Sequence, residues 1–319
     1  MSKEILILSR KFRSQLPTVA DFLAGRDCVV ADREIRYPVD EDQLCELVKD
    51  VDGLITGLER ITPRVYDHAN RLRVVSAGGV GYDHINTEEA TRRGIAVCIC
   101  AGCNNHSVAE LAFGMMIGLS RQIYPADREM RAGSWNSGHF GPELWGKTLG
   151  VVGLGRVGRS TALLGRAFGM NVLATDIVWD ITFANQNGIS YVPLDRLLQE
   201  SDYVSLHVPL TPETRYMIDE RTLGMMKPSA YLINTSRGPV VKEPDLVQAL
   251  RSGRITGAGI DVFETEPRPN NPYVEFDNVI LTPHLGGTTT DAFDRAMYLA
   301  LLNVTNVLNG QPAHCQVNL

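Results

Sequence analysis

The sequence has no apolar run long enough to cross a bilayer. Its most hydrophobic stretch, 108–119, is 12 residues long and carries Glu110, well short of the roughly 20 residues that a membrane span needs. It reads instead as a helix buried on all sides. A leader-like core is also missing at the start, where only Ile5, Leu6, Ile7 and Leu8 are consecutively apolar and no cleavage-like run follows. Basic clusters are lacking too: 31 Lys and Arg stand against 37 Asp and Glu, a net charge of −6 with a pI of about 5.7. Nucleic acid is thereby excluded as a partner, because phosphate binding needs concentrated positive surface. A membrane partner is excluded as well, and a soluble, cytoplasmic protein is expected.

Cysteine is present but lacks the company a metal site requires. Cys28, Cys45, Cys98, Cys100, Cys103 and Cys315 include the cluster CICAGC at 98–103, yet no second cysteine pair or nearby pair of histidines completes a tetrahedral set. No metal is expected; the cluster reads as buried free thiols in a reducing compartment. Low-complexity linkers are absent.

What remains is an ordinary globular balance, 44% hydrophobic and 21% charged over 319 residues, enough for two domains with real cores. Apolar strand-like runs recur at 4–9, 27–32, 53–56, 72–79 and 95–100. Amphipathic segments lie between them at 40–50, 61–70 and 86–94, two of which open on capping signals, Asp40 and Asn86–Thr87 with Glu89. Such βα alternation predicts a parallel sheet with helices on its faces. A long apolar helix follows at 107–123. The alternation then restarts, with strands expected at 147–155, 171–176, 190–194, 203–209, 230–236, 257–263 and 278–285, and an amphipathic helix at 291–310 closes the chain. The fold class expected is α/β, with two doubly wound parallel-sheet domains in tandem.

The second series opens on VVGLGRVGRS, in which Gly153, Gly155 and Gly158 form G-x-G-x-x-G. Alone this motif is weak, but here a strand precedes it, a helix follows, and a second strand ends in Asp176. Gly153 allows the tight turn, Gly155 lets the backbone approach a pyrophosphate, and Gly158 lets helix and strand pack closely. Asp176 can accept hydrogen bonds from ribose hydroxyls and would repel a 2′-phosphate, while Ile177, Val178 and Trp179 supply no cation. The expected cofactor is NAD rather than NADP.

Three polar segments stand at strand ends, where open parallel sheets bind ligands: NTSRGP (234–239), DVFETEP (261–267) and TPHLGG (282–287). Arg237 could grip a carboxylate. His284 could act as an acid–base group near neutral pH, with Glu266 holding its tautomer and raising its pKa. Taken singly, each also reads as a surface cation, a packing histidine and a solvated carboxylate.

The chain resembles the D-isomer-specific 2-hydroxyacid dehydrogenase family. GGVGYDHIN (78–86), SVAEL (107–111), GKTLGVVGLGRVG (146–158), HVPLTPETRYMI (207–218), INTSRG (233–238), DVFETEP and TPHLGG match it in order. The resemblance implies that a Rossmann NAD domain (104–288) is inserted into a flavodoxin-like substrate domain, whose parts are 1–103 and the returning C-terminal helix in 289–319. It implies an active site in the cleft between them and hinges near 100–105 and 286–292. It makes Arg237, Glu266 and His284 the catalytic set. Arg156, Val157, Asp176, Thr235, Ser236, Asp261 and the segment from His284 through Gly286 to Gly287 would line the NAD site, and the amides of Val80 and Gly81 would help Arg237 hold the substrate carboxylate.

The activity implied is hydride transfer between nicotinamide and C2 of a D-2-hydroxy acid or 2-keto acid such as glyoxylate, hydroxypyruvate or 3-phosphoglycerate. The loop at 56–60 would face the substrate; it offers Arg60 but departs from the loop of phosphoglycerate enzymes. Glu266 argues against formate dehydrogenase, which usually carries glutamine there. A homodimer built through the nucleotide domain, centred on the helix at 107–121, is expected. The alternative is an NAD-sensing scaffold of the same fold, against which the lack of long extensions argues.

Overall fold

The computed structural model describes residues 2–318, and the chain divides into two compact units, Met1–Asn104 with Thr289–Leu319, and Asn105–Thr288. In the first unit the strands are β1 (Lys3–Ile7), β2 (Cys28–Val30), β3 (Gly53–Thr56), β4 (Val74–Ala77) and β5 (Ala96–Cys98). They form one parallel sheet in the order β2-β1-β3-β4-β5, the flavodoxin-like arrangement.

Because successive strand residues face opposite ways, the largely apolar strands feed two cores. Leu6, Leu8, Leu54, Val75 and Val97 pack with Leu44, Leu47, Val65 and Tyr66. Ile5, Ile7, Ile55, Val74 and Cys98 pack with Phe12, Val19, Leu23 and the closing helix's Leu301 and Val304. That helix, Thr290–Leu308, is capped by the Thr289 hydroxyl. The expected caps form: Asp40 accepts from the Gln43 N–H, and Asn86 from the Glu89 N–H. All six cysteines are free; five are buried, and Cys315 is half-buried.

The second unit holds β6 (Thr148–Val152), β7 (Asn171–Thr175), β8 (Ile189–Tyr191), β9 (Tyr203–Leu206), β10 (Tyr231–Asn234), β11 (Gly257–Ile260) and β12 (Val279–Leu281). Their order is β12-β11-β10-β9-β6-β7-β8, all parallel. The chain runs outward from β6 to β8 and then returns to β9 on the other side of β6. The crevice beyond the carboxyl ends of β6 and β9 is therefore the topological switch point.

Differences from the sequence reading concentrate at element ends. The strands expected to reach 209, 236, 263 and 285 stop at Leu206, Asn234, Ile260 and Leu281. His207, Asp261 and Thr282 each still donate one N–H to the neighbouring strand. Beyond them the chain turns into loops whose amides bond to side chains and loop carbonyls, as the Ser236 N–H does to Asn234 Oδ1 and the His284 N–H to the Asp261 carbonyl. Helices Arg10–Arg13 and Leu16–Leu23, lying between β1 and β2, were not anticipated. The long apolar helix spans Asn105–Ser120 and packs on β10, β11, β12 and the helix Arg156–Ala167. It is not buried on all sides: Glu110 and Gly114 are exposed, and Leu111 and Ile117 half-buried. Among the described residues no helix is long and apolar enough to cross a membrane.

Candidate active site

The glycine loop lies between β6 and the helix Arg156–Ala167, with Gly155 at the helix N-cap. Gly153 has φ +91°, and a side chain there would come within 2.9 Å of the His207 carbonyl carbon. A Cβ on Gly158 would lie 1.9 Å from the Gly153 oxygen, so both positions demand glycine for contact with backbone. At Gly155 a Cβ would meet nothing within 4 Å, leaving the helix N-terminus open to an anion. Arg156 is exposed, and Val157 half-buried, in the first turn.

Asp176 follows β7 and turns back on this loop. Its Oδ2 accepts the Leu154 N–H at 2.6 Å, and its Oδ1 accepts the Val178 N–H at 3.2 Å. Ile177 is fully exposed, and Trp179 stacks on Tyr191 with centroids 5.0 Å apart. Arg159, one helical position beyond Gly158, donates to Asp180 Oδ2 at 2.8 Å and to the Leu154 carbonyl at 3.2 Å.

The three polar segments converge at the carboxyl ends of β10, β11 and β12. Asn234, 1% exposed, ties the first of them: its Oδ1 accepts from the Ser236 N–H and hydroxyl, and its Nδ2 donates to the Arg237 carbonyl. Arg237 is half-buried, with Nη1 donating to the Ser236 carbonyl at 2.8 Å. Gly238 presses on the next loop, since a Cβ there would lie 1.9 Å from the Phe263 carbonyl carbon.

Asp261 organises the third segment. Only 1% exposed, it accepts the Thr282 hydroxyl and the Leu285 N–H on Oδ1, and the Gly286 N–H on Oδ2 at 2.8 Å. Its backbone carbonyl takes the His284 N–H. These bonds hold His284 at φ +56°, a left-handed conformation that a non-glycine residue adopts only when its surroundings impose it. Gly286 is buried and Gly287 half-buried beside it.

So held, His284 Nδ1 donates to Glu266 Oε2 at 2.6 Å, and Glu266 Oε1 accepts the Phe263 N–H at 2.8 Å. The carboxylate can only accept, so Nδ1 keeps its proton and Nε2 is the nitrogen left to exchange one. The Glu266 bond raises the His284 pKa; burial opposes it, the charges of Glu266 and Asp261 reinforce it, and Arg237 acts against it. Burial pushes the Glu266 carboxyl up, but the hydrogen bonds from His284 and the Phe263 amide outweigh it, with the nearby charges of His284 and Arg237, and hold it below the usual range. The arrangement can orient a carboxylate at Arg237 and move a proton at His284 Nε2.

His207 is a residue the sequence reading left outside the site. Following β9, it bonds Ser205 through Nε2 at 2.9 Å, and burial alone pushes its pKa down to about 3. It is therefore a neutral imidazole and not the proton carrier. The signal was available: like His284, it ends an apolar strand run. Its Nδ1 and the Thr235 hydroxyl are buried polar atoms without a protein partner, both at carboxyl ends of central strands. Together with the glycine cradle they fit a dinucleotide with polar groups of its own. Ser236 is buried, 8% exposed. Val80 and Gly81 lie in the loop after β4 in the first unit, each half-buried. Among the described residues no group of His, Cys, Asp and Glu is disposed to hold a metal ion.

A family model for the D-isomer specific 2-hydroxyacid dehydrogenase NAD binding domain matches residues 113–286. The chain is 43% identical over 299 residues to a glyoxylate reductase of Thermofilum pendens, covering 91% of this chain and 88% of that one. To a D-3-phosphoglycerate dehydrogenase of Methanocaldococcus jannaschii it is 38% identical, over 91% of this chain and 56% of that protein. A crystal structure of D-lactate dehydrogenase from Aquifex aeolicus, complexed with NAD and lactic acid, aligns with a TM-score of 0.81 at 30% identity, covering 97% and 96% of the two chains.

Proposed function

Because the chain belongs to the D-isomer specific 2-hydroxyacid dehydrogenase family, we propose that it reduces a small, unphosphorylated 2-keto acid such as glyoxylate with NADH. The observation that carries this reading is the His284–Glu266 hydrogen bond at 2.6 Å beside Arg237. The nicotinamide ring, when bound, supplies the hydride. Arg237 grips the substrate carboxylate and polarises its carbonyl. His284 Nε2 gives its proton to the carbonyl oxygen, and Glu266 stabilises the imidazolium before that transfer. In oxidation His284 takes the proton back.

The loop after β3 supports the choice of an unphosphorylated substrate. Glu59 Oε2 accepts the Gly57 N–H at 2.7 Å and the Thr56 hydroxyl at 3.0 Å. A carboxylate thus already takes the Gly57 amide and would repel a phosphate brought to this loop, where Arg60 stands exposed. Rates with glyoxylate, hydroxypyruvate, pyruvate and 3-phosphohydroxypyruvate test the proposal. Turnover of the phosphorylated acid alone would overturn the substrate class, and NADH binding without turnover of any 2-keto acid would favour the scaffold.

Cofactor choice follows Asp176. Its carboxylate stands at the end of β7 with no cation in residues 177–179, and Arg159 is engaged by Asp180, so a 2′-phosphate meets repulsion and no partner. Wild type is expected to prefer NADH over NADPH in kcat/KM. Asp176→Ala combined with Ile177→Arg is expected to shift the ratio toward NADPH. Equal efficiencies in the wild type would remove the argument.

The second unit also exposes large aromatic side chains in one segment: Trp135 at 85%, Phe140 at 86% and Trp145 at 74%. Large exposed aromatic side chains gathered in one segment support an association surface there. A homodimer through this unit is expected, with the segment around 121–146 rather than the largely covered helix Asn105–Ser120 giving most of the contact. Light scattering at micromolar concentration should give about twice the chain mass of 35.1 kDa; the monomer mass would refute it.

A further inference from the structure

The loop that carries Glu266 is fastened on both sides of that residue to a single point. Glu264, two positions before Glu266, accepts the backbone N–H of Glu243 at 3.3 Å. Arg268, two positions after it, donates to the Glu243 carboxylate. Glu243 is thus held by main chain and by side chain, and it is the first residue of the helix Glu243–Arg251. The ion pair is sheltered, with side-chain exposures of 12% for Glu243 and 28% for Arg268, unlike the solvent-facing pair Arg251–Glu275 one helix-length away, at 57% and 50%. Solvent and salt screen a sheltered pair far less than an exposed one.

The other side of the loop is set by Gly238, on which the backbone of Phe263 and Glu264 lies too close for any side chain. The loop is therefore clamped between the Arg237 segment and the start of this helix. Movement of the loop away from both would carry Glu266 off His284.

We propose that Glu243 is a positioning residue for Glu266, acting through Glu264 and Arg268 to keep Glu266 Oε2 against His284 Nδ1. This rests on the reading that His284 and Glu266 manage the proton. When the clamp is released, Glu266 spends less time bonded to His284, and the imidazolium loses part of its stabilisation. The charged groups acting on His284 are Glu266, Asp261 and Arg237. Arg268 pairs with Glu243, and Glu243 and Glu264 both act on the buried Tyr273. The clamp therefore bears on His284 through the position of the Glu266 loop.

The test is the pH profile of keto-acid reduction for Glu243→Gln, Arg268→Gln and the double variant, with Glu266→Gln as reference. Each single variant should move the alkaline limb to lower pH by a fraction of the ~1–3 units that a close opposite charge supplies. NADH affinity should stay at the wild-type value. The double should move the limb no further than either single, because both release one bond. If Glu243→Gln does not fold, Arg268→Gln carries the test, since it leaves the helix start intact. A limb left at its wild-type position while Glu266→Gln moves it would overturn the positioning role, whatever happens to Tm. Additive shifts in the double would overturn it too. An unmoved limb in Glu266→Gln would instead overturn the acid–base reading beneath it.

Discussion

His284→Gln is expected to lower kcat for keto-acid reduction about 10²–10⁴-fold, with Tm and NADH affinity near wild type. Glutamine fills similar space and can still bond Glu266, so the loop held by Asp261 should survive, but an amide neither gains nor gives up a proton near neutral pH and cannot act as general acid or base. Glu266→Gln should be milder and visible mainly in the pH profile. The Glu266 bond is the largest cause raising the His284 pKa, so its removal lowers that pKa. Reduction needs the protonated ring, so its activity should fall off at a lower pH than in wild type; oxidation needs the neutral ring, so its range should extend to lower pH. Initial rates in both directions across pH 5–10 decide this. Near-normal turnover in His284→Gln would end the proposed role, as would unmoved profiles in Glu266→Gln.

The second large effect separates two glycines of one motif. A Cβ on Gly158 would lie 1.9 Å from the Gly153 oxygen and 3.0 Å from its carbon. Backbone cannot swing aside as a flexible side chain can, so helix and strand must part. Overpacking of this kind costs about 1–3 kcal/mol and occasionally more, and each kcal/mol lowers Tm by about 2–4 °C in a unit of this size. Gly158→Ala should therefore melt several degrees early and bind NADH weakly. At Gly155 a Cβ meets nothing within 4 Å, so Gly155→Ala should keep its Tm, within about 0.5 kcal/mol of wild-type stability. Its methyl would nonetheless stand where a pyrophosphate approaches the helix N-terminus, and NADH affinity should drop. Thermal melts and NADH fluorescence titrations read the two effects separately. A wild-type Tm in Gly158→Ala would contradict the packing, and wild-type affinity in Gly155→Ala would contradict the placement of the pyrophosphate.

Strands were readable because their causes are local. A parallel strand covered on both faces is apolar at nearly every position, and runs such as GLIT or YVSL announce it without further context. The glycine motif was readable for a similar reason: turn, helix start and close packing are demands on consecutive residues. Helix caps such as Asp40 belong to the same class. The short helices Arg10–Arg13 and Leu16–Leu23 escaped because so few turns carry a weak periodic signal.

The sequence by itself determined the two α/β units, the nucleotide loop and the identity of the polar segments that end β10, β11 and β12. Their meeting was a tertiary matter. Arg237, Glu266 and His284 stand far apart in sequence, and only the adjacency of three strands brings their loops together. The same holds for Asp261, placed by resemblance at the cofactor and found buried among the amides of the His284 loop. It holds for His207, whose neutrality follows from burial that no local pattern reveals. Glu243 likewise looks like an ordinary acidic residue in a first helical turn, and its grip on the Glu266 loop exists only once Arg268 and Glu264 fold back on it. Residue type and spacing fix what a segment can form, because hydrogen bonding and burial along one strand or helix are short-range; which charges face one another depends on strand order, which the chain settles only by folding.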